Sequence, residues 1–169
     1  MLSFTENITT ILRAISESNA KSILDVGGGM GKYAILIREN DISSQAERGD
    51  MEPNRSIKIN CCEDTEYFIK QEYHQYLYDS HTHISVFDKE EFTDELTIFI
   101  DTIEHWSKEK TLELFNKING RILISTPKNT VMYTEHYYGD DRHHMTQWTQ
   151  DDFVGWKDYS TPQSYIFLR

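Results

Sequence analysis

The chain has 169 residues, one domain's worth, and its 17 basic against 28 acidic side chains give a net charge of −11. That balance repels a phosphate backbone and offers no basic stripe, which disfavours a nucleic-acid substrate. The two cysteines are the adjacent pair Cys61 and Cys62, a poor geometry for a disulfide and no metal-ligand spacing. With no bilayer-spanning apolar run and no basic-then-apolar leader, the expectation is a single soluble cytoplasmic domain over 1–169.

Within 1–20, residues 3–18 place Phe4, Ile8, Ile11, Leu12 and Ile15 at helical spacing behind a Ser3-x-x-Glu6 capping pattern, and the spacing predicts an amphipathic leading helix that packs on a sheet. Ser22 to Tyr33 then reads as a short buried strand (Ile23, Leu24, Val26), a glycine turn, and a helix running through Ala34–Ile37. Gly27, Gly29 and Gly31 fall in a G-x-G-x-G pattern, with Gly28 between them and Asp25 two residues ahead. Glycine lets the backbone turn tightly and approach a ligand, and the helix start offers unpaired N–H groups. A Walker A loop fails here, because Val26 stands where its first glycine belongs and Tyr33 follows Gly31-Lys32. The dinucleotide fingerprint G-x-G-x-x-G fails as well: it needs glycine at Lys32, or at Met30 when shifted by one.

The polar segment 40–56 has no sustained period and predicts a long surface loop. Ile57–Cys62 is the second strand, and Glu63 stands at its end, where an acidic side chain can accept both hydroxyls of a ribose. The interval from Gly31 to Glu63 is 32 residues against the usual ~20, and the polar segment accounts for the excess. Asp64 is the competing carboxylate. A helix carrying Ile69, Tyr73, Tyr76 and Leu77 follows, then a third strand over 83–87 closed by Asp88. Leu96–Ile100 is apolar on both faces, as a central parallel strand should be, and it ends in Asp101-Thr-Ile-Glu-His-Trp106. Asp101, Glu104 and His105 therefore fall at a strand's carboxyl end, where open α/β sheets bind ligands. Ser107 starts a helix that Asn119-Gly120 ends, and Arg121–Ser125 is a fifth strand. A polar stretch over 128–148 precedes a short helix at Thr149, and Tyr165–Leu168 is a final strand; Tyr159–Pro162 is a weak candidate for one more. His136, His143 and His144 show no ligand spacing, so no metal is expected.

With Asp25 ahead of it, the glycine pattern resembles the D-x-G-x-G-x-G motif of class I S-adenosylmethionine-dependent methyltransferases. The order of Glu63, Ile100-Asp-Thr-Ile-Glu-His105, Leu123-Ile-Ser-Thr-Pro127 and the stretch Asp141 to Phe153 is similar to one branch of them. The resemblance implies an α/β fold, a doubly wound, mostly parallel seven-stranded Rossmann-like sheet with one antiparallel strand near the C-terminal edge, and S-adenosylmethionine as cofactor. It implies cofactor contacts from Asp25, Gly27, Gly28, Gly29, Gly31, Glu63, Asp64, Asp101 and Thr102, and from Asp88 toward the adenine amino group. The region 128–148 becomes the acceptor side, with His143 and then His105 as candidate general bases for a hydroxyl acceptor. The acceptor is a small molecule or glycan-like. A non-catalytic binding module or partner subunit on the same fold is the alternative, and a nicotinamide-dependent oxidoreductase is disfavoured by the glycine spacing.

Overall fold

The computed structural model describes residues 5–47, 55–70, 72–129 and 144–169. Its strands are β1 (Ser22–Val26), β2 (Lys58–Cys62), β3 (Ser80–Thr82), β4 (Leu96–Ile100), β5 (Arg121–Pro127), β6 (Lys157–Asp158) and β7 (Ser164–Leu168). They form one sheet in the order β3-β2-β1-β4-β5-β7-β6. Pairings among β1 to β5 are parallel, whereas β7 runs antiparallel to both β5 and β6. The sheet is thus mixed, which corrects the mostly parallel expectation at its C-terminal side. The seven strands and the reversed strand near that edge agree with it. Val26 is level with Cys62 and with Phe99, and Ile100 with Ser125, so the carboxyl ends of β1, β2, β4 and β5 share one edge. Strand order reverses between β1 and β4, the place where such sheets open a crevice for a ligand.

Successive strand residues point to opposite faces, and the two faces carry separate cores. Ile23, Ile59, Leu96, Ile98, Leu123 and Ile166 pack with Ile11, Ala14 and Ile15 of α1 (Asn7–Ser18) and with Ala34 and Ile37 of α2 (Lys32–Glu47). Their neighbours Leu24, Phe99, Ile122, Ile124 and Phe167 pack with Leu114 and Phe115 of α5 (Lys108–Lys117) and with Trp148 and Phe153. The leading helix is tied to the far edge by polar bonds too. Buried Asn7 donates from Nδ2 to Ser164 Oγ at 2.8 Å and accepts from Thr161 Oγ1 at 2.8 Å. Ser3 of the capping pattern lies outside the described residues, and Glu6 at the N-cap makes no side-chain cap bond.

Four sequence expectations are displaced. The surface loop over 40–56 is helical through Glu47, as the last turns of α2, and 48–54 lies outside the described residues. Polar bonds, not apolar period, hold those turns: buried Asp41 accepts from Gln45 Nε2 at 3.1 Å, from Ser56 N at 2.8 Å and from Ile57 N at 3.3 Å. These bonds hold the Asp41 carboxyl below its ordinary range, against its burial. The third strand is Ser80–Thr82, not 83–87, because residues 86–88 close a 3₁₀ turn in which Ser85 Oγ accepts from Phe87 N at 3.4 Å. The helix before it is two short ones, α3 (Glu66–Ile69) and α4 (His74–Leu77). The weak strand sought at 159–162 is β6, two residues earlier. Among the described residues no helix is long and apolar enough to cross a membrane.

Candidate cofactor and acceptor site

The glycine loop leaves β1 in a conformation that side chains resist: Gly27, Gly29 and Gly31 have φ of 70°, 52° and 75°. Its first turn closes with Gly27 N donating to Cys62 O at 2.9 Å and Gly31 N to Gly28 O at 2.8 Å. The loop is also packed from beneath. A Cβ on Gly28 would run into the Tyr78 hydroxyl, and one on Gly31 would meet Leu77 Cδ1 at 2.6 Å. Gly29 is the exception, since a Cβ there would come no closer than 3.9 Å to its nearest neighbour, the Gly27 carbonyl oxygen. Among the described residues nothing else packs within 4 Å of that side.

Glu63 lies at the end of β2, 4 % exposed, with its carboxylate turned to the loop. Oε2 accepts from Gly29 N at 3.0 Å and Oε1 from Thr65 N at 2.9 Å. On the other side of the same residue, Nε2 of buried His74 donates to Gly29 O at 2.7 Å. Gly29 is thereby held by both its N–H and its carbonyl. Asp64, the competing carboxylate, is exposed and accepts from Thr65 Oγ1 at 3.2 Å. Asp25 sits under the loop, accepting from the Tyr78 hydroxyl at 2.7 Å. Burial pushes its carboxyl up to about 6; the Tyr78 bond opposes that rise and the Glu63 charge adds to it. The rings of His74, Tyr78 and His81 cluster in tilted and edge-on contacts, with centroids 4.9 to 5.4 Å apart. Sequence reasoning missed His74 because it stands in a stretch read as an ordinary amphipathic helix, and only the chain's return from β2 brings it to the loop.

At the next strand end Thr102 Oγ1 donates to Val26 O at 3.2 Å, and the side chain lies against Gly27, tying β4 to the loop. Asp101 just before it adopts φ of 51°, a left-handed backbone uncommon for a residue with a side chain. Glu104 follows in a 3₁₀ turn over Ile103–His105 and is fully buried, accepting from Thr126 Oγ1 at 3.1 Å. Burial pushes its carboxyl up to about 8, with the Asp101 charge adding to the rise. The rings of His105 and His144 meet edge to face at 4.9 Å, because Met145 N and Thr146 N both bond the Glu104 carbonyl and dock the returning chain there. Asp88 is elsewhere. It is exposed at the end of the 3₁₀ turn that follows β3, beside Lys110, Glu113 and Lys117 of α5. The displaced third strand accounts for that, and Thr82 takes the strand-end position. His143 and His136 lie outside the described residues.

No protein-family model matches the chain, and no curated protein matches it in sequence. Solved structures do match. The S-adenosylmethionine-dependent methyltransferase SibL in its apo form aligns with 96 % of this chain and 54 % of its own, at 15 % identity and TM-score 0.64. The methyltransferase domain of bacterial CtHen1 aligns over 95 % of each chain at 17 % identity and TM-score 0.60. Magnesium protoporphyrin IX methyltransferase from Synechocystis PCC 6803, with S-adenosylhomocysteine bound, aligns with 96 % of this chain and 80 % of its own at 12 % identity and TM-score 0.62. This chain spans about half the length of SibL. At these identities the likeness is one of fold: the chain has the fold of class I S-adenosylmethionine-dependent methyltransferases.

Proposed function

We propose that the protein binds S-adenosylmethionine across the Gly27–Gly31 loop and transfers its methyl group to a small-molecule or glycan-like acceptor. The observation that carries this reading is Gly29: its outer side is open among the described residues, and its N–H and carbonyl are held by Glu63 and His74. Such a loop can receive a ligand without first ordering itself. In this reading the nucleoside lies over Gly27–Gly31, and Glu63 spends its remaining lone pairs on the ribose hydroxyls. Asp25, Gly28 and Thr102 shape the loop from beneath, and Asp64 and Asp101 flank it.

Methyl transfer from a sulfonium needs a nucleophile in line with the C–S bond, so positioning two bound molecules supplies most of the acceleration. For a hydroxyl acceptor His143 is the first general base and His105 the second. Incubation with methyl-labelled S-adenosylmethionine and a panel of phenols, sugars and amines tests the reading. The expected result is S-adenosylhomocysteine released in step with a labelled acceptor. Cofactor binding with no turnover across the panel would favour a non-catalytic module on the same fold.

A further inference from the structure

Glu104, His105 and His144 each offer one ligand atom, and these atoms all lie within 4.8 Å of one another. Ligands around one first-row ion stand roughly 3 to 4 Å apart, given metal–ligand bonds of about 2.0 to 2.2 Å. A small rotation of the two part-exposed imidazoles closes that gap. Glu104 supplies the independent sign of a ligand. It is fully buried, Thr126 satisfies one of its oxygens, and Oε1 is buried with no hydrogen-bond partner among the described residues. An unpartnered carboxylate oxygen out of water costs of the order of a few kcal/mol unless something completes it. Two imidazoles lie beside it and the Asp101 charge acts on it, and among the described residues no lysine or arginine is bonded to it.

We propose that Glu104, His105 and His144 form a binding site for one divalent transition-metal ion at the carboxyl ends of β4 and β5. Two imidazoles with one carboxylate suit manganese, iron, cobalt or zinc better than calcium or magnesium, and three protein ligands leave positions open. Glu104 lies two residues past Thr102, whose side chain touches the glycine loop, so the cluster and the loop belong to the same carboxyl edge of the sheet. The class of acceptor this favours is one presenting a hydroxyl oxygen to the ion, whose charge makes that O–H easier to ionise. This last step rests on the methyltransferase reading. There the acceptor's O–H bond breaks and its proton passes to water or to His143. The oxygen's electron pair takes the methyl carbon, and the C–S pair stays on sulfur as the thioether. With His105 a ligand, the general-base role belongs to His143 alone.

The test uses untagged, chelator-stripped protein titrated with cobalt(II), read by its visible d–d absorption, and with manganese(II), read by loss of the free-ion spin-resonance signal. The expected result is one ion per chain, with affinity falling at least tenfold in Glu104→Gln and in His144→Ala. No saturable binding, or unchanged affinity in both variants, overturns the site. Should Glu104→Gln not fold, His144→Ala, a part-exposed position, decides alone. S-adenosylmethionine titrated into the same samples separates the two readings: cofactor binding without metal removes only the ion, and metal binding without cofactor removes only the methyltransferase reading.

Discussion

Two buried glutamates stand past the ends of β2 and β4, the strands on either side of β1, and are treated in opposite ways. Glu63, after β2, has each oxygen bonded to a backbone N–H, and its partners are the glycine loop and the next helix start. Glu104, after β4, has one oxygen bonded to Thr126 and the other buried without a hydrogen-bond partner among the described residues. The first site is finished by the protein itself, so it is rigid before any ligand arrives. The second leaves one oxygen without such a bond, has two histidines beside it, and burial pushes its carboxyl well above the usual carboxylate range.

The largest way to break this contrast is Gly31→Val. Gly31 has φ of 75°, and a Cβ would press Leu77 Cδ1 at 2.6 Å, so about 2 to 4 kcal/mol of stability should be lost, read as a fall in Tm. Asp25→Asn is next and has a pH signature. The carboxyl titrates at about 6 in the fold against an ordinary 3.8, so the folded chain holds its proton where the unfolded chain has released it. That contribution to stability is full below about pH 4 and is lost as pH rises toward 6, up to ~3 kcal/mol in all. Urea midpoints across this range should fall with pH more steeply in the wild type than in the variant. A parallel pair of curves would remove Asp25 from the account.

Glu63→Ala sharpens the cofactor half. It frees Gly29 N and removes the ribose acceptor, so S-adenosylmethionine affinity should fall by ~1 to 3 kcal/mol, roughly 5- to 150-fold, in a calorimetric titration. The smallest effect is expected at Asp152, which bonds neither glutamate. Asp152 pairs with Lys108 and accepts from Thr149 N at 3.0 Å and Thr149 Oγ1 at 3.1 Å, and these partners hold its carboxyl below its usual range. Asp152→Ala should cost about 1 kcal/mol in chemical denaturation and leave cofactor affinity unchanged.

What the sequence made legible follows the same division. β1, the glycine turn and Glu63 are specified by neighbours in the chain: an apolar run, spaced glycines, an acid at a strand end. β4 was equally plain, because all five of its residues are buried. The third strand was misplaced because three residues, Ser80, His81 and Thr82, carry no apolar alternation and form a strand only by pairing with β2. The helical end of α2 was missed because its stability lies in the Asp41 bonds to residues up to 16 positions away. The Glu104, His105 and His144 cluster joins residues about 40 apart through the backbone bonds of Met145 and Thr146 to Glu104, and no spacing rule reaches across that interval. His74 escaped for the same reason, 45 residues from the Gly29 carbonyl it holds.

The central claim is that the open face of Gly29 is where S-adenosylmethionine lies, and calorimetry on wild type and Gly29→Arg tests it most directly. A side chain at Gly29 enters open space, so the variant should fold with only the ~1 to 2 kcal/mol strain of its left-handed backbone. One saturable site is expected in the wild type and none in the variant. A folded wild type that does not bind, or a variant that binds as well as the wild type, would contradict it.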